Sequence, residues 1–177
     1  MFNIISRPPM YDPDAVQPMR DELVAVGFTE LLKPEDVDKA INVKDDKITL
    51  EMINSVCGCA AGSARPGVSL ALQHSVIPDK LYTVFAGMER DAVDKARSYI
   101  TNFPPSSPSI AVFKNGELIY FMQRYDIEGR NKAEIAETLK EVFDEVCTRK
   151  GPSVSPEDFA KIEHAIMCGS KIPLYKG

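Results

Sequence analysis

The sequence predicts an α/β fold, in which helices flank a central mixed sheet. A strand-like segment followed by a helix-like one occurs twice in succession, over residues 48–74 and 80–100. A strong hairpin signal, Asn115-Gly116, then joins two further strand-like runs. Parallel strands need crossover helices, whereas a hairpin adds antiparallel strands, so the sheet should contain both kinds of pairing.

Two helices are predicted before the first strand. Residues 16–26 carry four apolar residues at helical spacing, and Gly27 follows as a helix end. Residues 33–42 place Pro34 and two acids at the start of a second amphipathic segment, which is typical of a first helical turn. We expect both helices as additions at the N-terminal side of the sheet.

The first strand leads to a pair of cysteines. Residues 48–56 mix alternation with a nearly apolar finish, which predicts a strand ending at "CGC". Small and apolar residues then return at helical spacing over residues 60–74, with Pro66 at a kink or in an early turn. Cys57 and Cys59 should therefore lie at the carboxyl end of a strand and the start of a helix.

The second strand and helix are followed by a rigid loop and the hairpin. Residues 80–87 are rich in β-branched and aromatic residues, and residues 89–100 form a charged amphipathic pattern. The loop "NFPPSSPS", residues 102–109, contains three prolines and several serines. The hairpin follows directly, over residues 110–122.

The chain should end with one long helix and an extension. Residues 131–147 place apolar residues along one helical face, and Gly151-Pro152 closes that helix. The remainder predicts a capped helix starting at Ser155 and a loose tail. We therefore predict a domain over residues 1–150 and a C-terminal extension over residues 151–177.

The order of these elements resembles a known fold. After the two N-terminal helices, strand, helix, strand, helix, hairpin and helix follow one another, which is the arrangement of the thioredoxin-like fold. In such proteins a cis-proline begins the strand that faces the active-site thiol, and its backbone neighbours line the place where a substrate disulfide binds. Pro108, preceded by Ser107, holds that position here.

Composition limits the classes of function. The 177 residues, 44% of them hydrophobic, suffice for one core. The net charge of -5, without a basic cluster, argues against a nucleic-acid partner. We expect no membrane span, no leader segment and a cytoplasmic location. Thiols are kept reduced there, so four cysteines indicate catalytic or metal-binding thiols rather than a disulfide framework.

The position of the thiol pair favours a thiolate. Amide N–H groups and the helix dipole at a helix start stabilise an anion. Cys57 should face solvent as the nucleophile, with Cys59 more shielded, and Gly58 would permit the backbone dihedrals of a closed disulfide. Arg65 in the same helix is either a contact for an anionic thiol or a solvated side chain.

Three alternatives remain open for the same cysteines. They could be small buried hydrophobic residues at the top of a strand, as free cysteines often are. They could belong to a metal or iron–sulfur carrier, with Cys147, His164 and Cys168 as further ligands; the last two lie four apart on a predicted helix. The protein could also be a thioredoxin-like binding module with idle cysteines.

Four motifs in order carry a resemblance to one family. "NSVCGCAAGSARP" (residues 54–66), "TVFAG" (83–87), "PPSSPSIA" (104–111) and "RYDIEGR" (124–130) resemble the bacilliredoxin family of CGC thioredoxin-like proteins, over roughly residues 17–147. The chain has Gln123 and Tyr125 where the family pattern has Pro and His.

The resemblance implies a thiol-disulfide oxidoreductase that removes bacillithiol from mixed disulfides with protein cysteines, with some general reductase or isomerase activity. By motif position, Cys57 is the attacking thiol, Cys59 its resolving partner and Pro108 the substrate-facing proline. Bacillithiol would be a co-substrate, bacillithiolated proteins would be the clients, and no tightly bound cofactor is implied. The sequence does not indicate an oligomeric state.

Overall fold

The computed structural model of the protein describes residues 6–177. The expectation about a leader segment falls in part on residues 1–5, which lie outside the described residues. The helices are α1 Pro13–Val24, α2 Pro34–Ile41, α3 Arg65–Ala71, α4 Arg90–Ser98, α5 Arg124–Ile127, α6 Lys132–Val146 and α7 Pro156–Phe159. The strands are β1 Thr29–Glu30, β2 Ile48–Asn54, β3 Val76–Ile77, β4 Lys80–Phe85, β5 Ser109–Lys114, β6 Glu117–Met122 and β7 Arg149–Lys150.

The five-stranded sheet has the order β1-β4-β2-β5-β6. β4 is parallel to both β1 and β2, whereas β5 is antiparallel to β2 and β6 to β5. This confirms the predicted mixed sheet and the thioredoxin-like fold. The two-residue strands β1, β3 and β7 were not predicted; β3 and β7 form a separate small sheet.

β2 is the central strand, and every residue in it is buried. Ile48, Leu50 and Met52 belong to the core on the face covered by α3 and α6. Ile53 belongs to the core on the other face, which α2 and α4 cover. A strand covered on both faces is fixed in position, so it provides a rigid base for the residues that follow it.

The helix after the cysteines begins at Gly58 and continues through α3. Its first part contains a π-helical turn, Ala60–Ala64, and Pro66 is the second residue of α3. The predicted irregularity therefore takes the form of a widened turn before the proline, a common device for placing residues at functional sites.

The hairpin turn is confirmed. Asn115 and Gly116 both have positive φ angles, 54° and 81°, which two-residue hairpin turns of this type require. Across residues 6–177, every helix is too short or too polar to traverse a lipid bilayer.

The C-terminal extension differs from the expectation. Ser155 caps α7 by accepting a hydrogen bond from the Asp158 amide at 3.1 Å, but the helix ends at Phe159. His164 and Cys168 therefore do not share a helical face, and that prediction was wrong. The tail is also not loose, because Ile172 is only 4% exposed in a core cluster with α1 residues. Some of its backbone groups also bond to the body of the protein, since the Gly169 amide donates to the Val56 carbonyl at 2.7 Å and the Tyr175 amide to the Met10 carbonyl at 3.0 Å.

Candidate active site

Cys57 and Cys59 lie where the sequence predicts, just after the central strand. β2 ends at Asn54, and the helix begins at Gly58. Both cysteines are free and half-buried, and their sulfur atoms are 2.8 Å apart, so one thiol can donate a hydrogen bond to the other. The sequence predicted that Cys59 would be more shielded than Cys57. Both are half-buried, and Cys59 packs against the core that α3 covers.

The surroundings of Cys57 favour its thiolate. Burial acts to raise the pKa of Cys57, but hydrogen bonds from the Cys59 thiol, the Ser55 hydroxyl and the Ala60 amide, with the charge of Arg124, outweigh it. The net result is a pKa below the ordinary thiol value. The predicted stabilisation by helix-start amides is present, but it is only one of four favourable contacts.

The surroundings of Cys59 have the opposite effect. Burial, then the hydrogen bond and charge of Cys57, raise the pKa of Cys59 to about 12. Cys59 therefore holds its proton at neutral pH and shares it with the Cys57 sulfur. Of the two thiols, Cys57 is therefore the one that ionises first.

The loop before β5 lies beside the thiols. In the sheet register Ile53 pairs with Ser109, so Ser107 and Pro108 lie next to the end of β2. The Ser107-Pro108 peptide bond is cis. Pro108 is buried, while Ser107 is half-buried. The substrate-binding roles of Ser107, Pro108 and Gly58 stay predictions.

Arg124, at the start of α5, is a charged residue of the site that sequence reasoning missed. Its amide donates to Ser106 Oγ at 2.8 Å, which ties α5 to the proline loop. The positive charge of its guanidinium acts to lower the pKa of both cysteines. Its Nε donates a hydrogen bond to Glu128 at 2.6 Å. The one sequence signal was its place in the "RYDIEGR" motif.

Arg65 does not lie where the sequence predicts. The side chain is fully buried, neither solvated nor open to a bound thiol, so the substrate-binding assignment was wrong. Its guanidinium forms an ion pair with buried Glu22 and donates to the Ser55 carbonyl at 2.8 Å and to the Ala165 carbonyl at 3.1 Å. Arg65 follows five small residues, Ala60–Ala64, and its side chain points into the protein because Glu22 compensates its charge.

The same buried pair fastens the C-terminal extension beneath the thiols. His164 Nδ1 lies 2.6 Å from Glu22 Oε2, and the Ala165 amide donates to Glu22 Oε1 at 3.3 Å. Ser55, whose hydroxyl faces Cys57, is thus linked through Arg65 to residues more than one hundred positions later. The site is built on a polar network that joins α1, α3 and the extension.

A metal site is not assembled in the described part of the chain. Within residues 6–177, no three His, Cys, Asp or Glu side chains are grouped so that they could hold a metal ion. Cys147 is buried, and burial, together with Asp79 and Asp144, raises its pKa to about 12. Asp79 precedes β4, so Cys147 lies at the sheet edge opposite the thiols.

Sequence comparison finds close relatives. The family described as disulphide isomerase matches residues 11–147 of the chain. A protein named Bacilliredoxin from Cytophaga hutchinsonii is 53% identical over 137 residues, covering 77% of this chain and all (100%) of that protein. Others with that name, from Salinibacter ruber and Staphylococcus aureus, are 46% and 42% identical, each over 80% of this chain and over 83% and 96% of their own.

Among solved structures, mitochondrial thioredoxin 3 from Saccharomyces cerevisiae matches 68% of this chain and 97% of its own, with a TM-score of 0.45 and 15% identity. A thioredoxin from Malassezia sympodialis matches 68% and 90%, with a TM-score of 0.43 and 14% identity.

Proposed function

Because the chain belongs to the bacilliredoxin family and is a thiol-disulfide oxidoreductase, we propose that it reduces mixed disulfides between bacillithiol and protein cysteines. The observation that supports this most directly is the polarity of the thiol pair. A charged Cys57 and a protonated Cys59, with sulfurs 2.8 Å apart, supply a nucleophile and a reserve thiol in one place.

In the first step, the Cys57 thiolate attacks the bacillithiol sulfur of the mixed disulfide. The new bond joins Cys57 to bacillithiol, the old disulfide bond breaks, and the client leaves as a thiolate. The contacts that stabilise the Cys57 thiolate increase the fraction of Cys57 in the reactive form at a given pH below its pKa. The client regains its free thiol at this point.

In the second step, either Cys59 attacks the Cys57 sulfur or a second bacillithiol attacks the sulfur of the bacillithiol bound to Cys57. Attack by Cys59 transfers its proton to solvent, forms a Cys57–Cys59 disulfide and releases bacillithiol as a thiolate. The protein has then given two electrons to the mixed disulfide. A low Cys57 pKa assists this step as well when a second bacillithiol attacks the bacillithiol sulfur and expels Cys57.

Substrate contacts are proposed on the open side of the thiols. Bacillithiol carries carboxylates, and Arg124, unlike Arg65, offers a partly exposed guanidinium close enough to bias both cysteines. Ser107, Pro108 and Gly58 would line the disulfide of the client. The proposal places the protein in the cytoplasm, with low-molecular-weight thiols and bacillithiolated proteins as its partners.

The test uses a peptide that carries one bacillithiolated cysteine. Release of the free peptide is followed by mass spectrometry for the wild type and for Cys57→Ser, Cys59→Ser and Cys147→Ser. We expect no release above background from Cys57→Ser, because the attacking thiolate is gone. Cys59→Ser should release peptide in the first turnover, since that step needs Cys57 alone.

Cys147→Ser is the matched control, because it removes a thiol from the opposite edge of the sheet. It should release peptide at the wild-type rate. Release by Cys57→Ser at that rate would contradict the assignment of the nucleophile. If the protein released peptide from mixed disulfides with another small thiol but never from those with bacillithiol, the proposed substrate would be wrong.

A further inference from the structure

The segment that follows α7 runs across the thiol site. The amide of Gly169 donates to the carbonyl of Val56 at 2.7 Å, which fixes the residue after Cys168 to the residue before Cys57. Further along, Ile172 is buried against Val16 and Met19 of α1. On the other side, Ala165 is bonded to Arg65 and Glu22. Cys168 is thus held between two anchored points.

The sulfur of Cys168 lies over the glycine between the two active-site cysteines. A Cβ placed on Gly58 would be 3.7 Å from Cys168 Sγ, an ordinary van der Waals contact. Gly58 is exposed and Cys168 is half-buried, so a small molecule that reaches the pair also reaches this third thiol. The chain therefore has three thiols at one place, Cys57, Cys59 and Cys168.

The two contacts lie on either side of Cys57. Cys168 touches the position after it, and Gly169 is bonded to the position before it. A disulfide needs Cα atoms roughly 4.4–6.8 Å apart. The bond between Gly169 and Val56 joins the backbones immediately beside Cys168 and Cys57. The residues around Cys168 have no regular structure before the short turn Gly169–Lys171, so a side-chain rotation there breaks no helix.

Cys59 by itself is a weak resolving thiol. With its pKa raised to about 12 by burial and by Cys57, very little of it is thiolate at neutral pH. Attack on a disulfide needs the thiolate, so resolution by Cys59 is slow unless the charge on Cys57 is first lost. A mixed disulfide on Cys57 removes that charge, but the burial of Cys59 remains.

We propose that Cys168 is a third redox thiol that resolves mixed disulfides on Cys57 by forming a Cys57–Cys168 disulfide. This inference rests on the proposed function, in which Cys57 carries the mixed disulfide. Residues 148–177 lie outside the family match, which ends at residue 147, so the third thiol belongs to this chain's own extension.

The step balances without a further reactant. The Cys168 thiol loses its proton to solvent, and its thiolate attacks the Cys57 sulfur. The bond between Cys57 and the small thiol breaks, and the small thiol leaves with the electron pair. Over both steps, the thiols of Cys57 and Cys168 have become one disulfide. The original mixed disulfide has been reduced to two thiols, those of the client and of the small molecule.

The test follows one aromatic disulfide, dithionitrobenzoate, on the Cys59→Ser variant of the full chain. Attack by Cys57 releases one nitrothiobenzoate and leaves a second on Cys57. We expect Cys168 to displace it, so that two equivalents are released and mass spectrometry of tryptic fragments finds Cys57 joined to Cys168. Cys59→Ser/Cys168→Ser should release one equivalent and retain the other on Cys57.

Cys59→Ser/Cys147→Ser is the matched control and should behave as Cys59→Ser does. Cys57→Ser/Cys59→Ser should react more slowly, which shows that Cys57 reacts first. Cys168→Ala repeats the comparison if serine disturbs the contact with Gly58. Retention of nitrothiobenzoate on Cys57 beside a free Cys168 would overturn this inference alone. A Cys57 that never reacts would overturn the proposed function with it.

Discussion

Charge on a single sulfur sets the chemistry at the residue scale. Four contacts favour the Cys57 thiolate, and one of them, the charge of Arg124, comes from a side chain outside the cysteine segment. An opposite charge a few ångströms away lowers the pKa of an acid, and the effect weakens with salt. Arg124 is partly exposed, so we treat it as one contribution among several rather than as the main one.

Replacing Arg124 with Gln should raise the Cys57 pKa. The thiolate fraction at a given pH below the pKa then falls, so the midpoint of Cys57 alkylation by iodoacetamide moves to higher pH. Lys140→Gln, which removes a positive charge bonded to Glu137 on α6, is the control and should leave the midpoint unchanged. Equal midpoints for Arg124→Gln and the wild type would contradict this contribution.

Glu51 is a second residue with a displaced pKa, away from the thiols. It is fully buried in β2 without a hydrogen-bond partner, and burial raises its pKa from 4.5 to about 8. Between these values the unfolded chain has lost the proton and the folded one has kept it, so rising pH favours unfolding. The cost grows by up to about 1.4 kcal/mol per pH unit and levels off above about 8.

Glu51→Gln cannot ionise, so its gain in unfolding free energy over the wild type should increase between about pH 4.5 and about pH 8. Urea unfolding at several pH values measures this difference. Glu117→Gln, at the exposed start of β6, is the control and should show a flat difference. A difference for Glu51→Gln that stays constant over this range would contradict a protonated carboxyl in the core.

Sequence reasoning at this scale correctly located residues whose place in the fold follows from chain position, whereas their roles stay predictions. Cys57, Cys59 and the cis bond at Pro108 come directly after or before a strand, and strands are readable from local pattern. Arg65 failed because its environment is made by Glu22 and Ala165, which are distant in sequence. No local pattern identifies the partner of a buried charge.

At the scale of elements, the contact between α3 and α6 positions the thiol-bearing helix. Gly67 lies where the two helices meet, and a Cβ there would be 2.8 Å from two side-chain atoms of Ile135. That distance is too short for real carbon atoms, so the helices would have to separate. Gly62, earlier in the same continuous helix, has open space around it and is exposed.

These two glycines give opposite predictions. Gly67→Ala should lower the unfolding free energy by roughly 1–3 kcal/mol because it overpacks the interface. Gly62→Ala should leave it unchanged or raise it by up to about 1 kcal/mol, since alanine favours helices over glycine. Urea unfolding of both variants tests this, and a destabilisation by Gly62→Ala as large as that by Gly67→Ala would show that helix spacing is not what matters.

The long, strongly patterned elements were predictable, and the short ones were not. The sequence of each long element shows a hydrophobic period, because the face that packs on the core is apolar. This holds for β2, β4, the hairpin and α6. β1 and β7 have two residues each and exist because a neighbouring strand supplies their hydrogen bonds. α7 began at its predicted Ser155 cap but ended early, at Phe159, and farther along the chain the Ala165 amide bonds to Glu22 instead of to a helical carbonyl.

At the scale of the whole molecule, the C-terminal extension joins the active site to α1. It covers the buried Arg65–Glu22 pair, buries Ile172 and pairs Leu174 with Tyr11. The sequence predicted a helix from Ser155 followed by a loose tail. Its order comes from contacts with residues near the other end of the chain, which a local pattern cannot reveal.

A chain that ends at Ala160 should be less stable than the full protein. It loses the burial of Ile172, worth about 2 kcal/mol, and exposes a charged pair, so the thermal midpoint should fall by on the order of 5 °C. Removing only Lys176 and Gly177, which are exposed, should leave the midpoint unchanged. Equal midpoints for both truncations would contradict a structural role for the extension and support an independent domain over residues 1–150.

The central claim is that Cys57 has a lower pKa than the neighbouring cysteines and therefore forms the thiolate first. Alkylation of the wild-type protein tests it most directly. Iodoacetamide labelling over a range of pH, read cysteine by cysteine by mass spectrometry, should give Cys57 a midpoint below that of an ordinary thiol. Cys59 and Cys147 should be labelled only at much higher pH. A Cys57 midpoint at or above the ordinary value, or labelling of Cys59 before Cys57, would contradict the proposed polarity of the site.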